Sequence, residues 1–158
     1  MPTLGGPRFE RGSSDMGQAA YIIAARRTAL GRVGGLHSRR RVEELTAPVI
    51  AAALKDARIA PDMVEEVVLG NSTAGDNVGR LVGLAAGLPD TVPAMTIDRS
   101  GSSGLDAILC AARLVAGGER DIVVAGGAES FSTAPWRIVK PRTVHQLPRF
   151  LPQDDLNC

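Results

Sequence analysis

The sequence predicts an α/β fold with a mainly parallel sheet. Two observations carry this. Short β-rich apolar runs alternate with stretches of helical periodicity in the order β-α-β-α-β-α-β. The chain is also 44% apolar but only 3% aromatic, so its core must be built from Ala, Val, Leu and Ile packed closely around 18 glycines. Right-handed crossovers between parallel strands would place helices on both faces of such a sheet.

Residues 1–18 are rich in Gly, Ser and charge and read as a disordered tail ahead of a domain over 19–134. Residues 20–25 (Ala-Tyr-Ile-Ile-Ala-Ala) form an apolar run, expected to be a buried first strand. A loop follows through Gly31 and Gly35, and then a basic cluster from His37 to Arg41. Helical spacing returns over 42–58 with Val42, Leu45, Val49, Ala53 and Leu54. Proline inside a helix costs about 3 kcal/mol, so Pro48 moves the expected start to near Thr46. Residues 64–69 (Val-Glu-Glu-Val-Val-Leu) read as the second strand, ending at Gly70.

The loop Gly70 to Gly75 superficially resembles a phosphate loop. It continues into Asp76-Asn77 rather than Lys-Ser/Thr, so the group that meets β- and γ-phosphates is missing. A helix is expected over 78–87, stopped by Leu88-Pro89, and a third strand over 92–97, with Pro93 marking its start or a sheet edge. Residues 104–117 are apolar or small almost all round, apart from Asp106, Arg113 and Cys110, which predicts a helix buried between two layers and closed by Gly117-Gly118. The fourth strand is expected over 121–125. Beyond it Pro135, Pro141, Pro148 and Pro152 make 135–158 the irregular start of a loop region.

Charge and composition exclude several functions. Lys plus Arg is 18 and Asp plus Glu 17, a formal net charge of +1, which argues against a nucleic-acid binder. One Trp, one Tyr and three Phe make no stacking platform for single strands. The two cysteines (Cys110, Cys158) and two histidines (His37, His145) follow no metal-ligand spacing, so no metal site is expected. No apolar run reaches the roughly 18 residues of a membrane span, and the N-terminus lacks the apolar core of a secretory signal. The expectation is a soluble protein of a reducing, cytoplasmic compartment, with no nucleic-acid or membrane partner.

In parallel α/β sheets chemistry sits at the carboxyl ends of the strands. The third strand runs into Asp98-Arg99-Ser100-Gly101-Ser102-Ser103-Gly104, directly ahead of the apolar helix. The small residues allow close backbone approach, and the first-turn amides with the helix dipole favour an anion or a developing oxyanion. No register supplies the Gly-x-Ser-x-Gly of a hydrolase elbow. Ser102 or Ser103 could equally serve as a helix cap.

From Tyr21 to Trp136 the sequence resembles the N-terminal half of the thiolases, the acetyl-CoA acetyltransferase and 3-ketoacyl-CoA thiolase family. The resemblance runs, in order, through Ala24-Ala-Arg-Arg-Thr-Ala-Leu-Gly-Arg, Val68-Leu-Gly-Asn, Asn77 to Pro89, Val92-Pro-Ala-Met-Thr-Ile-Asp-Arg, Gly104-Leu-Asp-Ala and Val124-Ala-Gly-Gly-Ala-Glu-Ser. It implies one half of an αβαβα sandwich and, for a complete member, thiolytic cleavage or Claisen condensation of acyl-CoA. The CoA thioester would be substrate or ligand, with no separate cofactor.

The family's loop is Asn/Asp-Arg-x-Cys-Gly-Ser-Gly-Leu, which sets Gly101 at the position of the acyl-accepting cysteine. Glycine cannot form a thioester. Cys110 is nine residues on, about 13 Å along a helix, and is expected to be a core thiol. Ser100 or Ser102 would need an adjacent base to carry an acyl group, and none is evident locally. The catalytic His and acid/base Cys of the family's second half are also missing.

The expected protein is therefore a thiolase-like subunit, inactive alone. It would be a truncated product, or would pair as a homo- or hetero-oligomer with a chain that covers the apolar helix, possibly one carrying the second half. Alternatives are a non-catalytic partner that stabilises a complete subunit, and a serine acyl-carrier site at Ser102. The resemblance also puts Met95 and Ile97 at a subunit interface. A third alternative is a generic ligand-binding α/β domain for CoA or another phosphate, with Arg26, Arg27, Arg39, Arg40 and Arg41 as either phosphate contacts or solvated side chains.

Overall fold

A computed structural model of the chain describes residues 19–150. Its elements are α1 (Val42–Ala57), β1 (Glu66–Gly70), α2 (Val78–Ala85), β2 (Ala94–Ile97), α3 (Ser103–Ala116), β3 (Val123–Gly127), β4 (Ile138–Val139) and β5 (Arg149–Phe150), with three short 3-10 turns between them. β1 is the centre of a three-stranded parallel sheet in the order β2-β1-β3. Val67 lies opposite Ala94 on one side and Val124 on the other.

Alternation along β1 sorts the side chains into two layers. Val67 and Leu69 point into a cluster with Val42, Ile50 and Leu54 of α1 and Val78 and Val82 of α2. Val68 points the other way, onto Ala107 and Ala111 of α3, with Met95, Ile97, Val123 and Ala125 around it. Val67, Val68 and Val82 are almost wholly buried, each contributing roughly 1.5–3 kcal/mol of transfer free energy. Two helices thus cover one face of the sheet and α3 covers the other.

The expected strands at 64–69, 92–97 and 121–125 are present within two residues of their bounds, and Pro93 does stand at the start of an edge strand. Three expectations need correction. The run 20–25 is not a strand: no residue of the sheet pairs with it, and Tyr21, Ile22 and Ile23 are 81%, 79% and 65% exposed. Apolar β-branched sequence supplies propensity, but a strand also needs a free ladder beside it.

α1 starts at Val42 rather than near Thr46 and passes straight through Pro48. Its start is fixed by the Glu44 carboxylate, which accepts the Arg41 amide at 2.8 Å. The Thr46 hydroxyl donates to the Val42 carbonyl one turn back, at 2.7 Å. Finally, among the described residues α3 is packed on one side only. Ala107 and Ala111 are buried, but Leu105 (62% exposed), Ile108 (39%) and Leu109 (44%) face outward.

The segment read as irregular carries one small antiparallel ladder, β4 against β5, with Trp136 edge-on to Phe150 at 5.4 Å. The tail 1–18 and residues 151–158, Cys158 among them, lie outside the described residues. No helix among the described residues is long and apolar enough to cross a membrane.

Candidate functional site

All three sheet strands are parallel, so their carboxyl ends lie together, beside the start of α3. The junction is held backbone to backbone. The Asn71 amide donates to the Ile97 carbonyl (3.0 Å), and the Ala128 amide to the Gly70 carbonyl (3.1 Å). Gly70, Gly104 and Gly127 make this close approach possible. A Cβ on Gly70 would fall 2.3 Å from the Ser103 carbonyl carbon.

The loops that leave these strand ends are tied through Ser72. Its amide donates to Glu129 Oε1 at 2.6 Å, and its hydroxyl donates to Asp98 Oδ1 at 2.6 Å. Its carbonyl accepts from Arg137 Nη2 at 3.1 Å. Glu129 also receives the Asn71 side-chain amide at 3.0 Å and the Thr73 hydroxyl. Asp98 is held below the usual carboxylate range, first by the Ser72 hydroxyl and then by the Ser100 amide, against the opposing effect of desolvation, with a lesser contribution from the field of Arg137.

Of the residues singled out from the sequence, Ser100, Gly101 and Ser102 form the turn directly before α3 and are all exposed. Ser100 occupies the left-handed region at φ 50. Gly101 does not, and a Cβ there would meet nothing within 4 Å. The Ser102 hydroxyl donates to the Arg99 carbonyl at 3.0 Å, and the Ser103 hydroxyl to the Ser100 carbonyl at 2.7 Å. Neither makes a side-chain cap on α3, and no side-chain base bonds to Ser102 among the described residues. Ser103 is 3% exposed, and its oxygen accepts the Arg99 amide at 2.8 Å.

Met95 and Ile97 are half-buried against the α3 cluster on edge strand β2. Cys110 is half-buried there too, rather than fully enclosed. The arginines do not converge on an anion. Arg26 bonds Asp56, Arg41 pairs with Glu43 at 2.9 Å, and the Arg27 Nε donates to the Thr28 carbonyl at 3.3 Å. Arg39 and Arg40 point to solvent-exposed surface. Arg26, Arg27 and Arg32 border a cleft of about 490 Å³ that is also lined by Gly127 to Ser132 and by Leu45, Thr46 and Val49 of α1.

Sequence reasoning missed Ser72, Glu129 and Arg137. Their only signal was the position of the first two just after β-rich runs, since each acts on partners dozens of residues away.

The family model for the N-terminal domain of thiolases matches residues 20–155. An acetyl-CoA acetyltransferase of Cupriavidus necator is 44% identical over 117 residues, which is 72% of this chain and 30% of that protein. The crystal structure of the Bacillus anthracis acetyl-CoA acetyltransferase superposes with a TM-score of 0.78 at 36% identity, covering 86% of this chain and 36% of that one. The chain therefore spans about a third of the length of the relatives it matches.

Proposed function

The chain belongs to the thiolase family, as its N-terminal domain, and from that premise we propose that it is a thiolase-like acyltransferase subunit without acyl-transfer activity of its own. Gly101 carries the reading. It occupies the acyl-accepting position by resemblance, and among the described residues no cysteine or activated hydroxyl bonds beside it. The remaining groups at the strand ends can orient a backbone and present amides to an oxyanion. They lack an activated nucleophile, because the Ser72, Ser102 and Ser103 hydroxyls donate to a backbone carbonyl or to an ionised carboxylate too weakly basic to take the proton, and no side-chain base bonds the Ser100 hydroxyl among the described residues.

Acyl-CoA is the ligand this reading implies. A second thiolase-like chain, identical or complementary, is the partner, packed over Leu105, Ile108 and Leu109. The exposed apolar stripe at i, i+3 and i+4 supports that arrangement, since soluble monomers seldom leave such a face uncovered.

The purified chain would be incubated with radiolabelled acetyl-CoA, denatured and counted. No covalent label is expected. Label retained on the protein, mapped to Ser100 or Ser102, would overturn the inactive reading in favour of a serine acyl carrier. Light scattering that showed a stable, fully folded monomer would overturn the paired one.

A further inference from the structure

We infer that Asp98 is a positioning residue, whose work is to hold the backbone at position 101 through Ser72 and Ser100. This rests on the reading of 101 as the acyl-accepting position. Ser100, immediately before it, sits in a backbone region that L side chains seldom occupy. Both backbone polar groups of Ser100 are clamped. Its amide donates to Asp98 Oδ1 at 3.0 Å, and its carbonyl accepts the Ser103 hydroxyl at 2.7 Å. The same Asp98 oxygen receives the Ser72 hydroxyl, and Ser72 is in turn fixed by Glu129 at its amide. Gly101 has no side-chain contact of its own and open space around its missing Cβ. Its place is therefore set by its neighbours.

The clamp needs an acceptor oxygen of the right shape at residue 98. It does not need a charge. That separates two roles by sign. A carboxylate acting only as a charge would raise the pKa of a thiol placed nearby, so its removal by any substitution would lower that pKa. A carboxylate acting as a clamp keeps position 101 against the start of α3, where helix amides lower a thiol's pKa, so losing the clamp would raise it.

The test uses the full chain carrying Gly101→Cys, with iodoacetamide alkylation followed across pH and the modified cysteine identified by peptide mass. The thiol is expected to titrate about one pH unit below the ordinary value near 8.5. Adding Asp98→Ala should move it back toward 8.5, while adding Asp98→Asn, which keeps the acceptor oxygen, should leave it low. Circular dichroism checks that each variant folds. If the Asp98→Ala variant does not, Ser72→Ala in the Gly101→Cys chain should raise the titration in the same direction by a smaller amount.

A Gly101→Cys thiol that titrates at 8.5 or above overturns the inference. So do Asp98→Ala and Asp98→Asn profiles that coincide, or an unchanged Ser72→Ala profile. Alkylation involves neither acyl-CoA nor a partner. An acetyl label on the unaltered chain would therefore refute the proposed function and leave this result standing.

Discussion

A Cβ built on Gly127 would lie 2.7 Å from the Cα of Gly104. The end of β3 and the first turn of α3 meet with no side chain between them, and backbone on backbone has nothing flexible to give. Gly127→Ala should therefore destabilise the fold by about 1–3 kcal/mol, the usual cost of overpacking. Gly101→Ala, which meets open space, should change stability by less than about 0.5 kcal/mol. Urea unfolding of the two variants side by side checks this, and equal midpoints would contradict it.

Glu66 is the buried carboxylate of the sheet, 6% exposed, and Arg120 Nε donates to its Oε2 at 2.9 Å. The arginine side chain is 38% exposed, so the pair is screened on one side only. Arg120→Ala would leave the buried charge without a partner and should cost about 2 kcal/mol. Arg120→Ala combined with Glu66→Gln should recover part of that loss. A double-mutant cycle by denaturant unfolding measures it, and strictly additive losses would count against the pair.

Pro48 is exposed in the seventh position of α1, where its missing amide leaves the Glu44 carbonyl without a helical partner. Pro48→Ala restores that bond and removes the ring clash, against a smaller gain in unfolded-chain entropy. The net expectation is a stabilisation of about 1–2 kcal/mol, read as a higher thermal midpoint.

The carboxyl of Asp98 is held low by Ser72, Ser100 and Arg137. In the unfolded chain it returns to about 3.9. The unfolded state then binds more protons as the solution is acidified. The contribution is present above about pH 4 and fades as pH falls through the lower folded value. Asp98→Asn should make the acid limb of a stability–pH curve shallower by lowering stability at neutral pH, while leaving the most acid values little changed. Asp56, held low by Arg26, acts with the same sign, so the slope should shrink without vanishing.

Strand and helix order was legible because it rests on local periodicity: Val67, Val68 and Leu69 announce a strand wherever they stand. The run 20–25 looks like a strand for the same reason, yet its Ile22 and Ile23 carry propensity without a ladder to join. The start of α1 was misplaced because Pro48 outweighed Glu44, whose carboxylate supplies the cap. The turn at Ser100 to Ser102 and the glycine at 101 could be placed by order along the chain. The clamp through Ser72, Asp98 and Glu129 could not, because its members are 26 and 57 residues apart and meet only once the parallel strands align their ends.

The outward face of α3 offers the sharpest test of partnership. Leu105 and Leu109 stand one turn apart and expose 62% and 44% of their surface, so neither contributes much to the folded chain by itself. Replacing both by Gln should leave the unfolding free energy within about 0.5 kcal/mol of the parent, as for surface substitutions generally. If a second chain covers this face, the same replacement removes buried apolar area at roughly 25 cal/mol per Å² and should shift sedimentation toward monomer. A large loss of stability in dilute, monomeric protein would show instead that these leucines pack within their own chain.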